Sequence, residues 1–294
     1  MSLIQRNECP ICAGAAFEPF LKARDHSVSK ENFTIVTCSG CGFHFTNPIP
    51  SESEIGKYYK SEAYVSHSSS NKGLINKLYL FVRKFTLKRK VKLIKRESKG
   101  NELLDIGSGT GHFLNVARNA GFKSLGLEPD SDARSFAKAN FDVDLLPISD
   151  LFTQPDKSKD VITMWHVLEH VYELRRDLEK ITSILKDDGV LIVAVPNMNS
   201  FDARYYKEFW AAYDLPIHLY HFTPNDIRNL FDQYDFNVEK ILPMKLDAFY
   251  VSMLSEKYRG GNMVRAFLIG LKSNWLARNE SFSSQIYILR RKTH

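Results

Sequence analysis

The chain has 294 residues, 44% hydrophobic and 25% charged, which suits one large globular domain with a small companion, and it has no apolar run of membrane-span length. Its formal charge of +6 is uneven, because residues 72–99 carry 11 Lys/Arg against one acid, Glu97. There is no basic-then-apolar leader at the N-terminus, and all four cysteines precede residue 42, so a reducing, cytoplasmic setting is expected.

Residues 1–47 form the first unit. Cys9-Pro10-Ile11-Cys12 and Cys38-Ser39-Gly40-Cys41-Gly42 are two Cys-x-x-Cys knuckles with 25 residues between them. Each presents two thiolates to one tetrahedral zinc, so Cys9, Cys12, Cys38 and Cys41 close a structural site with no open position for catalysis. The gap exceeds the usual spacing of about 15–20, so it is expected to hold a hairpin, with Phe33 to Val36 as one strand. Neither knuckle opens a helix after a core strand, which argues against a redox pair. The expectation is a small zinc-ribbon-like module.

Residues 48–100 read as a linker and a helix. Ser51 is placed to cap a short helix, with Glu54 completing a capping box, and Tyr58, Tyr59 and Tyr64 follow. Ser66 to Lys72 is polar, low in complexity and reads as mobile. A long helix over 74–96 sets Leu74, Leu78, Phe81, Phe85, Val91 and Ile94 against a strongly basic face. That face is either a solvated surface on a helix packed over a ligand cleft, or a docking surface for an anionic partner. Nucleic acid, or a nucleotide-linked or membrane-borne substrate, would fit the second reading.

Strand–helix alternation begins at Leu103. Strands are expected at 103–106, 122–127, 141–146, 160–165, 190–195, 236–242 and 283–290, with a loop-like stretch at 147–158. The pattern is that of an α/β fold, a doubly wound, mostly parallel seven-stranded sheet covered on both faces. Lys186-Asp187-Asp188-Gly189 reads as a tight turn into Val190 to Val195, a central strand ended by Pro196. Residues 197–222 look like an insertion, with eight aromatics between Phe201 and Phe222 together with His218 and His221. Thr223-Pro224-Asn225-Asp226 caps the next helix. Residues 246–258 read as helical, Gly260-Gly261 as a break, and a second helix follows.

The first strand of this series runs into Asp105-Ile106-Gly107-Ser108-Gly109-Thr110-Gly111-His112. Alternate glycines let backbone approach a ligand, and the following helix offers free N–H groups. Glycine-rich turns discriminate weakly by themselves, and here two acids choose the ligand. Asp105 would repel the pyrophosphate of a dinucleotide but attract an ammonium and a sulfonium. Glu128 stands 21 residues after Gly107, where an acid that binds ribose hydroxyls is expected. With Leu104-Asp105-Ile106-Gly107-Ser108-Gly109-Thr110-Gly111 the chain resembles the class I S-adenosylmethionine-dependent methyltransferases.

The resemblance covers roughly residues 100–294. It takes in Trp165-His166-Val167-Leu168-Glu169-His170-Val171 after the fourth strand and Val195-Pro196-Asn197 after the fifth, so 101–294 is the expected methyltransferase domain. The order of zinc knuckles, core and aromatic-His insertion is similar to that of sugar C-methyltransferases with an N-terminal zinc module. The resemblance implies S-adenosylmethionine held by Asp105, Gly107, Ser108, Gly109, Thr110, Gly111, Glu128, Pro129, Trp165 and His166. Leu146 to Leu151 departs from the family pattern, leaving Ser149 and Asp150 both as candidates for the adenine contact.

Methyl transfer from a sulfonium is an in-line displacement from an activated donor. The protein must therefore align the acceptor, exclude water and supply a base where the acceptor proton is poorly acidic. Ligands of an open parallel sheet sit beyond the carboxyl ends of its strands, which places His166 and the insertion beside the methyl group. His166 reads chiefly as a histidine lining the cofactor, and Glu169 and His170, in the first turn of the next helix, as structural, with Glu169 favoured by the helix dipole. His221 is the first choice of base in an apolar pocket made by the insertion, with His218 next and Tyr213 or Tyr220 as helpers. Neither histidine comes with a Cys or acid cluster that would make a metal site.

The expected acceptor is a small molecule or saccharide. RNA is the alternative, because some rRNA methyltransferases also pair a zinc module with this core. Against RNA, the aromatics gather in the insertion instead of among the basic residues. The complete glycine loop disfavours a binding module without catalysis.

Overall fold

The computed structural model describes residues 3–59, 74–278 and 280–292, with the backbone alone over 74–82. Tyr64 and the Ser66 to Lys72 stretch lie outside the described residues. The cysteine-bearing segment folds into β1 (Leu3–Ile4), β2 (Phe17–Arg24), β3 (Asn32–Cys38), β4 (His44–Thr46) and β5 (Ile49–Pro50). The long gap between the knuckles is the antiparallel β2–β3 hairpin, running in register from Phe17↔Cys38 to Arg24↔Asn32 around one irregularity. A short helix, α1 (Glu52–Ile55), starts without the expected capping box. Ser51 makes no side-chain cap bond, and Glu54 pairs with Lys57 at 2.6 Å instead. The basic helix is α2 (Leu74–Glu97), whose last turns bury Val91, Leu93 and Ile94. At its end the buried Glu97 is neutralised by Arg96 and Lys240, each at 2.8 Å.

The alternation after residue 101 gives β6 (Glu102–Ile106), α3 (His112–Asn119), β7 (Lys123–Leu127), α4 (Ser131–Phe141), β8 (Leu145–Leu146), β9 (Lys159–Trp165), α5 (Leu174–Ile184) and β10 (Leu185–Pro196). Then follow α6 (Phe201–Tyr206), β11 (Tyr220–His221), α7 (Pro224–Asp232), β12 (Phe236–Pro243), α8 (Asp247–Tyr258), α9 (Met263–Leu276) and β13 (Ser284–Arg291). Seven strands make one sheet in the order β12-β13-β10-β9-β6-β7-β8. β10, β9, β6, β7 and β8 run parallel, and β13 lies antiparallel to both neighbours. The third expected strand is cut to two residues because α4 continues through Phe141 and ends on Asp142 in a left-handed conformation (φ 50°). The expected turn at 186–189 is a bulge within β10 instead. Leu185 pairs with Lys159 and Val190 with Val161, so the polar residues between them loop out without reversing the chain. The capping box of α7, with Thr223 and Asp226, forms as the sequence indicates.

The insertion does not hang free. Its strand β11 pairs with β4, completing a small sheet in the order β11-β4-β3-β2. Phe43, Phe45 and Ile49 from the N-terminal segment share one core with Leu219, Tyr220 and Phe222 from the insertion and with Leu174 and Leu178 from α5. Arg175 adds polar ties to the first knuckle, donating to the carbonyls of Pro10 and Ile11 at 3.0 Å each. Deeper in the insertion, the buried Asp202 accepts from Trp210 Nε1 (2.7 Å), Ser273 Oγ (2.6 Å) and Ser283 Oγ (2.7 Å), locking α6 to α9 and to the entry of β13.

Candidate functional site

β6 carries Asp105 to the carboxyl edge of the sheet, where it is buried and accepts from Thr163 Oγ1 on β9 at 2.6 Å. Burial raises its pKa to about 6, although the Thr163 hydrogen bond and the Lys90 ammonium favour the charged form. The three glycines that follow meet different surroundings. A Cβ on Gly107 (φ 70°) would stand 2.4 Å from Val167 Cγ2, and one on Gly111 (φ 75°) would stand 2.8 Å from the Ala137 Cβ. Both are therefore required by the protein's own packing. Gly109 (φ 53°) faces open space, with nothing within 4 Å of such a Cβ. Its N–H donates to Glu128 Oε2 at 2.7 Å, so this is the glycine a ligand can approach.

Ser108 is buried and donates from Oγ to the Asp105 carbonyl at 2.8 Å, while Thr110 is half-buried beside it. Glu128 is buried at the end of β7, its other oxygen accepting from Asp130 N–H at 3.0 Å, and burial raises its pKa. Arg134 holds the carbonyls of Glu128 and of the exposed Pro129 at 2.7 Å each. Past β8, Ser149 is exposed and donates to Asp150 Oδ1 at 3.3 Å. That strand is tied to Glu128, whose N–H donates to the Leu146 carbonyl at 2.9 Å.

Trp165 ends β9 edge-to-face against Phe113, with ring centroids 5.6 Å apart. Its buried indole N–H has no hydrogen-bond partner among the described residues. Over the ring sits Lys90 from α2, with Nζ 4.3 Å from the centroid. Burial lowers the pKa of this lysine, against the pull of Asp105 and Asp247. Lys90 was not singled out by the sequence pattern, since it is one of eleven basic residues in 72–99. The available signal was its phase, four residues before the buried Ile94 on the apolar stripe.

Beyond β9 the chain turns sharply at His166 (φ 58°), whose N–H donates to the Ala194 carbonyl at 2.9 Å. Three residues later Glu169 is fully buried, and neither carboxylate oxygen has a hydrogen-bond partner among the described residues. Among the described residues the cation paired with it is His166, with Nδ1 3.4 Å from Glu169 Oε1 and Nε2 3.1 Å from Asp247 Oδ2. Burial alone would lower the pKa of His166, but the Asp247 and Glu169 carboxylates outweigh it and raise it to about 9. His166 is therefore an imidazolium near neutral pH.

His170 Nδ1 lies 3.0 Å from the Ile217 carbonyl and 3.1 Å from the Tyr59 hydroxyl, and His218 Nδ1 lies 2.9 Å from the Ala212 carbonyl. A carbonyl only accepts, so both Nδ1 atoms carry the proton and both Nε2 atoms are bare. Burial lowers the pKa of His170 to about 4 and also lowers that of His218, so both rings are neutral. The two rings meet edge to face at 4.5 Å. Glu169, His170 and His218 each offer a ligand atom within 4.8 Å of the others, a set able to hold a divalent cation or a hydrogen-bond-donating ligand. This corrects two expectations. Glu169 and His170 lie on a 3-10 turn (Leu168–His170) ahead of α5 rather than in its first turn, and His218 does have an acid beside it.

His221 stands elsewhere. It lies in β11 opposite His44, buried, with Nε2 3.0 Å from Thr46 Oγ1. That hydroxyl donates to the His218 carbonyl at 2.8 Å, so His221 must be the donor to Thr46. Burial takes its pKa well below 6.5. Tyr213 packs edge to face on His221 at 5.4 Å, and Tyr220 is buried with its hydroxyl donating to the Tyr172 carbonyl at 3.3 Å. These three side chains form the seam between insertion and small sheet, and of the insertion's histidines His218 joins Glu169. A cleft of about 380 Å³ opens along the seam, lined by Phe20, His44, Met198, Arg204, Lys207 and Tyr213 among others.

The four cysteine sulfurs converge, Cys9 to Cys41 at 3.6 Å and Cys12 to Cys38 at 3.5 Å. These separations are too long for disulfides, where sulfurs lie about 2.05 Å apart. They approach the roughly 3.8 Å edge of a tetrahedron with metal–sulfur bonds of about 2.3 Å. Burial raises the Cys38 thiol, but N–H groups of Cys41 and Gly40 outweigh it and bring its pKa to about 7. Burial pushes Cys41 up to about 11.

The methyltransferase domain family model matches residues 79–241. A ubiquinone biosynthesis O-methyltransferase of Rhodopseudomonas palustris is 29% identical over 105 residues, 34% of this chain and 42% of its own length. A probable S-adenosylmethionine-dependent methyltransferase of Mycolicibacterium smegmatis is 23% identical over 180 residues, 57% of this chain and 63% of its own. The chain thus spans less than two thirds of these curated relatives. Magnesium protoporphyrin IX methyltransferase of Synechocystis superposes with a TM-score of 0.55 at 14% identity, over 82% of this chain and 100% of that one. At such identity the likeness is one of fold.

Proposed function

We propose that this chain, which belongs to the methyltransferase domain family and is a class I S-adenosylmethionine-dependent methyltransferase, methylates a small, hydroxyl-rich acceptor of saccharide type. The observation that carries the acceptor is the Glu169 cluster. One buried carboxylate with two unpartnered oxygens and two imidazoles with bare Nε2 atoms make a site rich in acceptors and poor in donors. A ligand presenting several O–H groups satisfies such a site. His166, held cationic, keeps Glu169 ionised, while the neutral His218 accepts the acceptor's proton near pH 7. The name of the ubiquinone biosynthesis relative favours a small molecule too.

S-adenosylmethionine, when bound, supplies a methyl group already activated on a sulfonium. Asp105, the backbone from Gly107 to Gly111 and Glu128 would hold it, with Pro129 and Ser149 or Asp150 toward the base. The Trp165 indole N–H and the Lys90 ammonium are the donors left over for its carboxylate. Cys9, Cys12, Cys38 and Cys41 would hold one structural zinc, in keeping with sulfur separations of 3.5 and 3.6 Å.

A second reading of the Glu169, His170 and His218 set is a divalent-cation site, favoured by three ligand atoms within 4.8 Å of one another. The test is a screen of nucleotide sugars and RNA with an isotopically labelled methyl donor. Label on a hydroxylated small molecule, independent of added metal, is expected. Turnover that needs an added divalent ion while the four-cysteine metal stays in place would favour the second reading. Label on RNA alone, with binding that falls steeply with salt, would replace the saccharide reading.

A further inference from the structure

Helix α9 turns its small residues inward and its large apolar residues outward. Ala266, Ile269, Gly270 and Ser273 are buried against α8, and a Cβ on Gly270 would stand 2.8 Å from the Phe249 ring. The opposite face carries Val264 (72% exposed), Phe267 (59%), Leu268 (55%), Leu271 (49%) and Trp275 (78%). These recur at three- and four-residue spacing, so they form one stripe along the helix. Arg265, Lys272 and Arg278 flank it, all exposed, and residues 262–278 contain no acid. At the far end Asn274 Nδ2 donates to the Lys245 carbonyl at 2.8 Å, which brings the exposed Lys245 and Leu246 alongside. Phe267 leans on Phe249 of α8, with ring centroids 5.4 Å apart, and the stripe otherwise stays open among the described residues. Scattered apolar side chains are ordinary on a protein surface, but a continuous stripe this size marks a contact.

We propose that α9 docks the protein on an anionic lipid surface. Val264, Phe267, Leu268, Leu271 and Trp275 enter the boundary between headgroups and acyl chains, and Arg265, Lys272 and Arg278 meet lipid phosphates. The charge argues for lipid, since every charged residue of the helix is a cation. An exposed Trp beside cations on an apolar face suits the lipid–water boundary, where an amphipathic ring has an apolar body and a polar N–H. No described helix is long and apolar enough to cross a membrane, so the contact is with one leaflet. The docked helix lies one helix away from the chemistry, because α8 beneath it begins at Asp247, the partner of His166. This inference stands whatever the acceptor is.

The test is flotation of the full-length chain with phosphatidylcholine vesicles, with and without about a third phosphatidylglycerol. Binding to the anionic vesicles, weak binding to the neutral ones and a blue shift of Trp275 emission are expected. Phe267→Ser/Leu271→Ser/Trp275→Ser should lower partitioning by about tenfold or more. Arg265→Glu/Lys272→Glu should do the same and abolish its salt dependence. If the triple variant fails to fold, Trp275→Ser alone and quenching of wild-type Trp275 by brominated acyl chains report on insertion. No flotation with anionic vesicles, or an unchanged triple variant, overturns the proposal. So does light scattering that shows a dimer dissolved by the triple variant while vesicle binding is absent, which assigns the stripe to a second copy.

Discussion

Glu169→Gln separates function from stability in a way a structural carboxylate would not. The side chain is fully buried and both oxygens lack hydrogen-bond donors, while the bare Nε2 atoms of His170 and His218 are acceptors nearby. Burial would raise its pKa, but His166, at 3.4 Å, and the neighbouring imidazoles outweigh it and hold the carboxyl below its usual range. An isosteric amide gives up that pairing but adds two N–H donors that face bare acceptors. His166 keeps its 3.1 Å bond to Asp247, so the change does not strand a cation. The two effects oppose each other, so we expect a melting point within a few degrees of wild type. Turnover should not be spared. Without the carboxylate the acceptor loses its strongest hydrogen-bond acceptor and the neighbouring imidazole its anionic support, so kcat should fall by roughly 10²–10⁴-fold. Calorimetric melting and single-turnover methyl transfer read the two effects. A melting point displaced by more than a few degrees, or turnover within threefold of wild type, would refute the reasoning.

The remaining predictions concern pH, cofactor and metal. His166 has a folded pKa of about 9 against 6.5 unfolded, so its stabilisation is complete below 6.5 and lost as pH rises through 9. That interval is worth roughly 3 kcal/mol, cut to roughly 1–2 for a side chain one-third exposed; melting curves should fall across it and flatten in His166→Gln. Glu128→Ala removes the acceptor of the Gly109 and Asp130 N–H groups and should weaken a micromolar cofactor affinity, on the order of −8 kcal/mol, by about tenfold or more in calorimetry. Undiminished binding would take Glu128 out of the site. Metal analysis should return one zinc per chain, lost in Cys38→Ser together with protease resistance of residues 1–47. A metal-free wild type with an intact N-terminal segment would sink that claim.

Much of the large sheet was legible because it obeys local rules. Apolar runs such as Val190 to Val195 and the Thr223–Asp226 capping box declare themselves within a few residues. Two strand limits were misread where polar residues near Phe141 and at Lys186 to Gly189 suit a helix end and a bulge as well as they suit strand boundaries. β11 was invisible, since two residues carry no period and the partner of His221 is His44, far away in the chain. The approach of Gly109 to Glu128 was within reach of the sequence because a strand, a turn and the next strand suffice to bring them together. Lys90 was hidden among like charges.

The Glu169 cluster proposed to hold the acceptor obeys the opposite logic, so the placement of its histidines was not legible locally. Tyr59 comes from the N-terminal segment, Glu169 and His170 from the turn after β9, His218 from the insertion and Asp247 from the start of α8. Main-chain bonds hold them together: Leu219 N–H donates to the Glu169 carbonyl at 2.8 Å, and Thr46 N–H to the Leu219 carbonyl at 2.9 Å. Thr46 Oγ1 then fixes the His218 carbonyl at 2.8 Å and receives the His221 proton. His221 is therefore tied to the proposed acceptor site through the backbone that carries His218, three residues away. The four-cysteine module is tied to it in the same way, because β4 follows directly on the second knuckle and presents Thr46 to the insertion. A local element can be read from its own residues, but a cluster assembled from four segments exists only once the seam between the two sheets has closed.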